Sequence, residues 1–84
     1  MGKFEKVLRR LLSGEADANV EFDDLVWLLR RLGFMERVRG SDHIFTRADL
    51  ETPINLQPSG HHAAPYQVKQ TREKLQELGI GENE

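Results

Sequence analysis

Apolar residues recur at Phe4, Val7, Leu8, Leu11 and Leu12 with lysines and arginines between them, the three-and-four spacing of an amphipathic helix. Ser13-Gly14 is a natural stop, because glycine readily takes the left-handed cap. Glu15 to Val20 reads as a polar connection. A second helix is predicted from about Phe22, with Leu25, Leu28, Leu29 and Leu32 as its buried stripe. Asp23 and Asp24 fall in its first turn, where the helix dipole favours negative charge, and Gly33 caps its end. The period then changes from helical to alternating. Phe34 to Arg39 reads as a strand, Gly40-Ser41 as a tight turn, and Asp42 to Arg47 as the returning strand. Ala48 to Pro53 carries turn residues. Ile54-Asn55-Leu56-Gln57 alternates as a third, half-buried strand, which Pro58-Ser59-Gly60 breaks. His61-His62-Ala63-Ala64 reads as a loop. Pro65 suits the first position of a last helix, whose inward stripe is Val68, Thr71, Leu75 and Leu78 before Gly79.

This order predicts an α+β domain. Three antiparallel strands form a sheet with helices packed on one face, and the other face is left free for a ligand. The stripe of the first helix serves equally to cover the sheet or to meet a partner. At 84 residues the chain is one small domain with a marginal core, and 38% apolar against 31% charged residues is ordinary for a globular protein. The absence of cysteine excludes a disulfide framework and a thiolate zinc site. Met1-Gly2-Lys3 leads straight into the amphipathic pattern, and no apolar block of signal-peptide or membrane-spanning length follows, so the cytoplasm is expected.

Net charge is −2, which argues against a bulk electrostatic nucleic-acid binder. The charges are unevenly placed, however. Glu15, Asp17, Glu21, Asp23 and Asp24 cluster ahead of the strands, whereas Arg37, Arg39, Arg47, Lys69, Arg72 and Lys74 lie in the second half. Any basic face is therefore local, and its grip on RNA sensitive to salt.

The candidate chemistry lies in Arg37-Val38-Arg39-Gly40-Ser41-Asp42-His43-Ile44-Phe45. A cationic strand turns at Gly-Ser into an Asp-His pair. An imidazole can act as base or acid near neutral pH, for roughly 10²–10⁴-fold in rate. Arg37 and Arg39, two residues apart on one strand face, suit successive phosphates. Strand alternation sends Asp42 and His43 to opposite faces. His61 and His62 read first as an ordinary solvated loop and next as a loop contact to RNA or a partner; a metal site ranks last, because no Cys or well-spaced carboxylate completes a set. Lys69 sits near a helix start, where phosphate is welcome. Tyr66 is open for base stacking, and Trp27, between Val26 and Leu28, is expected in the core.

Several of these motifs together resemble the HicA family of bacterial toxins. They are Leu28 to Phe34 (Leu-Leu-Arg-Arg-Leu-Gly-Phe), Arg39-Gly40-Ser41-Asp42-His43-Ile44-Phe45, Ile54-Asn55-Leu56-Gln57-Pro58, and Pro65-Tyr66-Gln67-Val68-Lys69-Gln70, before a helix closing on Leu78-Gly79-Ile80. The resemblance runs from Phe22 to Ile80, so residues 1–21 are an N-terminal helical extension and 81–84 a tail. It implies a fold similar to the double-stranded-RNA-binding domain, preceded by an extra helix. It also implies an mRNA endonuclease without cofactor or metal, paired with a HicB-type antitoxin in a hetero-oligomer. In many members the catalytic histidine directly follows Gly-Ser. Asp42 stands there in this chain and His43 comes next, so either His43 is the catalyst or this copy is impaired. His43 with Asp42 is the catalytic candidate, and Arg37, Arg39, Ser41, His61, His62, Tyr66 and Lys69 are the RNA-binding candidates.

Two other functions compete. In one, the same fold is a catalytically silent module that binds RNA or the antitoxin. In the other, the leading helices form a helix-turn-helix with the hairpin as a wing on DNA. Asp23 and Asp24 would then repel phosphate where a recognition helix should attract it, so this reading ranks last.

Overall fold

The computed structural model describes residues 2–81. It contains helix α1 (Lys3–Ser13), a 3₁₀ turn (Asp17–Asn19), helix α2 (Phe22–Arg31), strands β1 (Met35–Arg39), β2 (Asp42–Thr46), β3 (Ile54–Leu56), β4 (Pro58–Ser59) and β5 (His62–Ala63), and helix α3 (Pro65–Glu77). The first three strands form an antiparallel sheet in the order β1-β2-β3. Phe45, Ile54 and Leu56 point from one face into a core shared with Leu25, Leu28 and Leu29 of α2 and Val68 and Leu75 of α3. The expected α+β domain, a three-stranded antiparallel sheet with three helices, is what forms.

Helix α1 meets α2 and α3, and its Leu11 is buried in the same core. The link to α3 is polar as well. Arg72 donates to both carboxylate oxygens of Asp17, at 2.9 and 3.2 Å, and to the Leu11 carbonyl at 3.2 Å. The hydrogen bonds it donates to Asp17 raise the pKa of the Arg72 guanidinium above its ordinary value. The connection from Glu15 to Val20 is thus partly structured: Val20 is buried, and Arg72 ties the 3₁₀ turn down.

Turn chemistry sets the register. Arg39 pairs with Asp42 across Gly40-Ser41, and Gly40 has φ 58° while among the described residues none other than glycine has positive φ. Glycine at the first of two turn positions is what a II′ hairpin requires. The same device recurs at Gly60-His61, with φ 66° at Gly60, between the paired Ser59 and His62. Here the expected break and loop at 58–64 are corrected, because β4 and β5 form a miniature hairpin. Ala63 N–H donates to the Val20 carbonyl, and Phe22 N–H donates to the His61 carbonyl. Two-residue strands show no alternation, and it is docking on the Val20–Phe22 segment that makes them strands.

Helices α2 and α3 end the same way. Phe34 N–H reaches back to Leu29 and Gly33 N–H to Arg30, as Ile80 does to Leu75 and Gly79 to Gln76, the paired bonds of a Schellman cap.

The Arg72–Asp17 pair is expected to stabilise the fold by joining α3 to the α1–α2 connection. In urea unfolding, Arg72→Ala should lose about 1–3 kcal/mol. Asp17→Ala should lose a similar amount, and the double variant should lose clearly less than the sum.

Candidate functional site

Burial of Phe45 decides where the imidazole goes. His43 lies two residues before Phe45 on β2 and therefore shares its helix-facing side. Pairing places Val38 opposite His43 and Glu36 opposite Phe45, so Glu36 faces the helices too. Its carboxylate Oε2 is 2.7 Å from His43 Nδ1. A carboxylate only accepts, so the hydrogen on that ring edge belongs to Nδ1 and Nε2 is left for proton exchange. Phe22, the first residue of α2, meets the ring edge-on, with centroids 4.9 Å apart and an interplanar angle of 73°.

Arg30 on α2 closes the other side of Glu36. Its Nε donates to Oε1 at 2.9 Å, and a terminal guanidinium nitrogen also contacts Oε1. The Glu36 side chain is only 9% exposed. The hydrogen bond with His43, then that from Arg30, holds its carboxyl below the usual value against the opposing effect of burial. His43 retains 23% side-chain exposure and Arg30 63%. Both border a cleft of about 340 Å³ whose walls also include Asp23, Val26 and Trp27. An oriented imidazole, a partly free guanidinium and an aromatic wall therefore share one opening.

The arginines expected beside this histidine lie elsewhere. Arg37 pairs with Ile44 and Arg39 with Asp42, and this register puts all four on the opposite, open face of the sheet. There Met35, Arg37, Arg39, Ile44 and Thr46 line a shallow concavity of about 570 Å³. Asp42 and His43 do lie on opposite faces, as alternation requires. Asp42 accepts a hydrogen bond from the Gln57 side-chain amide. The Gln57 backbone N–H donates to Gln67 Oε1 at 2.7 Å, and Gln67 Nε2 donates to the Tyr66 hydroxyl at 3.3 Å. Tyr66, 62% exposed, is thereby tied to the Asp42 end of the open face.

The remaining candidates are dispersed. Ser41 and His61 are exposed in the two hairpin turns, His62 is half-buried in β5, and Lys69 is exposed on α3. Among the described residues no three His, Cys, Asp or Glu side chains gather as a metal site. Trp27 is half-buried at the rim between α1 and α2, not sealed in the core, with Lys3 Nζ 4.5 Å from its ring centre. Among the described residues no helix is long and apolar enough to cross a membrane.

Glu36, Arg30, Gln57 and Gln67 are the residues that sequence reasoning missed. Glu36 carried one signal: a carboxylate on a strand, two residues from Val38, is placed by pairing on the His43 face. Gln67 looked like any polar helix residue, yet it is buried to satisfy the amide just past β3.

Because the folded state holds Glu36 ionised below its ordinary value, this carboxylate stabilises the protein above that value, and the contribution is lost as pH falls through the lower, folded one. The stability advantage of the wild type over Glu36→Gln should be about 1 kcal/mol at pH 5 and should shrink steadily towards pH 3 in urea titrations.

Scanned against protein-family models, curated proteins and solved structures, the chain matches none, so what it does must be read from the chemistry of these residues.

Proposed function

We propose that this chain is a HicA-type ribonuclease toxin of the cytoplasm, cutting mRNA without metal or cofactor and neutralised by a HicB-type antitoxin. Its fold would be akin to the double-stranded-RNA-binding domain with a helix added in front. The observation that carries the reading is the His43–Glu36 pair at an open cleft, 2.7 Å between ring nitrogen and carboxylate. Such a pair fixes the ring and its tautomer, as a base in proton transfer needs. Nε2 takes the proton of a ribose 2′-hydroxyl, the oxygen attacks the adjacent phosphorus, and the departing 5′-oxygen takes a proton from water. The exposed part of Arg30 supplies positive charge for the phosphate, and Trp27 supplies a surface on which a base stacks. The antitoxin would take the open face, an acidic surface meeting Arg37 and Arg39 around Met35 and Ile44.

A second reading has its own support. Asp42 occupies the open face where the resemblance would put the catalytic histidine, and His43 turns towards the helices. On that reading the protein is a silent module that binds antitoxin or RNA through the open face.

Cleavage of a single-stranded RNA by the purified protein separates the two, with growth on expression as a parallel readout. His43→Ala should lose at least 100-fold in rate and relieve growth arrest. Glu36→Gln should fall roughly tenfold or more while still folded, and Asp42→Ala should cut as the wild type does. A wild type that binds antitoxin and cuts nothing establishes the silent module. Equal cutting by the wild type and His43→Ala removes His43 from the mechanism.

A further inference from the structure

A concavity of about 640 Å³ lies along α1. Lys3, Lys6, Arg9 and Arg10 line it against one carboxylate among its described walls, Asp24. The chain as a whole has 14 acidic residues against 12 lysines and arginines, so this groove runs against the overall balance. A solvated helix face is the bland alternative, but such faces are stabilised by mixed charges. Lys6 and Arg10 are four residues apart, a like-charge spacing that weakens a helix by about 0.2–0.5 kcal/mol. A groove with four cations against one carboxylate instead concentrates field for an anion.

The groove also leads somewhere. Lys3 bonds Asp24 at 3.5 Å and lies over the Trp27 ring, and the Arg31 guanidinium carbon is 5.5 Å from the same ring centre. Trp27 in turn walls the cleft that holds His43 and Arg30. Basic groove, indole and imidazole therefore follow one another across α1 and α2 as a candidate track, joined where Lys3 of the groove lies over Trp27 of the cleft. We propose that this track is the path of single-stranded RNA. The cations of α1 hold the backbone, a base stacks at Trp27, and the next phosphodiester arrives at His43. The inference rests on the ribonuclease reading and assigns the N-terminal helix to substrate binding. A flexible polyanion with aromatic bases fits cations alternating with an indole better than an acidic protein surface does.

The test uses the full chain and a short fluorescein-labelled 2′-O-methyl RNA, which lacks the attacking hydroxyl and stays intact. Lys6→Ala/Arg10→Ala changes two exposed positions to the best helix former, so the fold is retained. Anisotropy should show about tenfold weaker binding, and a plot of log K against log salt flatter by about 1.4, two contacts at about 0.7 each. Fluorescence of Trp27, the sole tryptophan, should be quenched on binding by the wild type. Arg37→Ala/Arg39→Ala should bind nearly as the wild type. Unchanged binding by the α1 variant, or loss confined to the Arg37/Arg39 variant, overturns the track. Loss of antitoxin binding with RNA binding intact assigns the groove to a protein partner and overturns it too. If the wild type still cuts unmodified RNA in any of these cases, the ribonuclease reading stands. A wild type that neither binds nor cuts RNA removes both.

Discussion

A five-residue strand with a fully buried phenylalanine has little freedom in how it presents its neighbours. Phe45 is 0% exposed, and fully burying a side chain of that size is worth about 1.5–3 kcal/mol. A one-residue slip of β2 would expose it and turn His43 out onto the open face, away from Glu36. The two-residue Gly40-Ser41 turn resists that slip from one side, and pairing of Phe45 with Ile54 resists it from the other. The location of the imidazole, and of everything built around it, follows from this register.

Placing a carboxylate on the core side of a sheet carries a desolvation penalty that one partner rarely offsets. Glu36 therefore takes two: Arg30 from α2 on one oxygen and His43 from β2 on the other. The arrangement has a structural result, since it ties the last turn of α2 to both strands of the first hairpin. It has a chemical result as well, because the ring cannot rotate without breaking its bond to a buried acceptor. Buried polar groups satisfied in this way hold one geometry firmly, and that firmness is what an acid–base group requires.

Periodicity made the three helices and the first three strands legible, since each buries enough of one face to leave a repeating signature. The Gly-capped ends and the Gly-Ser turn were legible for the same local reason. The β4–β5 hairpin was not, because strands of two residues carry no period and their pairing depends on Val20 and Glu21, some forty positions earlier. Of the site, His43 stood out by its neighbours, but its companions did not. Residues of one sequence run, such as Arg39 and His43, ended on opposite faces, while Arg30 and Glu36, from different elements, joined it. Adjacency in the chain was a poor guide to adjacency in space once a strand intervened.

The sheet divides the candidate residues into two chemically different surfaces. The open face offers exposed guanidinium groups at Arg37 and Arg39, exposed Met35 and a carboxylate at Asp42 already engaged by Gln57. It holds no imidazole, so it can bind but lacks a group that exchanges protons near neutral pH. The helix side has the imidazole, its orienting acid and a cleft, but among the described residues lining that cleft Arg30 is the one Lys or Arg that can neutralise a phosphate. Under the proposed function, cations from another element are needed for RNA to dwell at His43, and α1 carries a cluster of them. This division means, under the proposed function, that RNA and antitoxin need not compete for the same atoms. An antitoxin on the open face would have to act through the shared strands, by shifting the Glu36–Phe45 register or the strand that carries His43, and not by covering the ring.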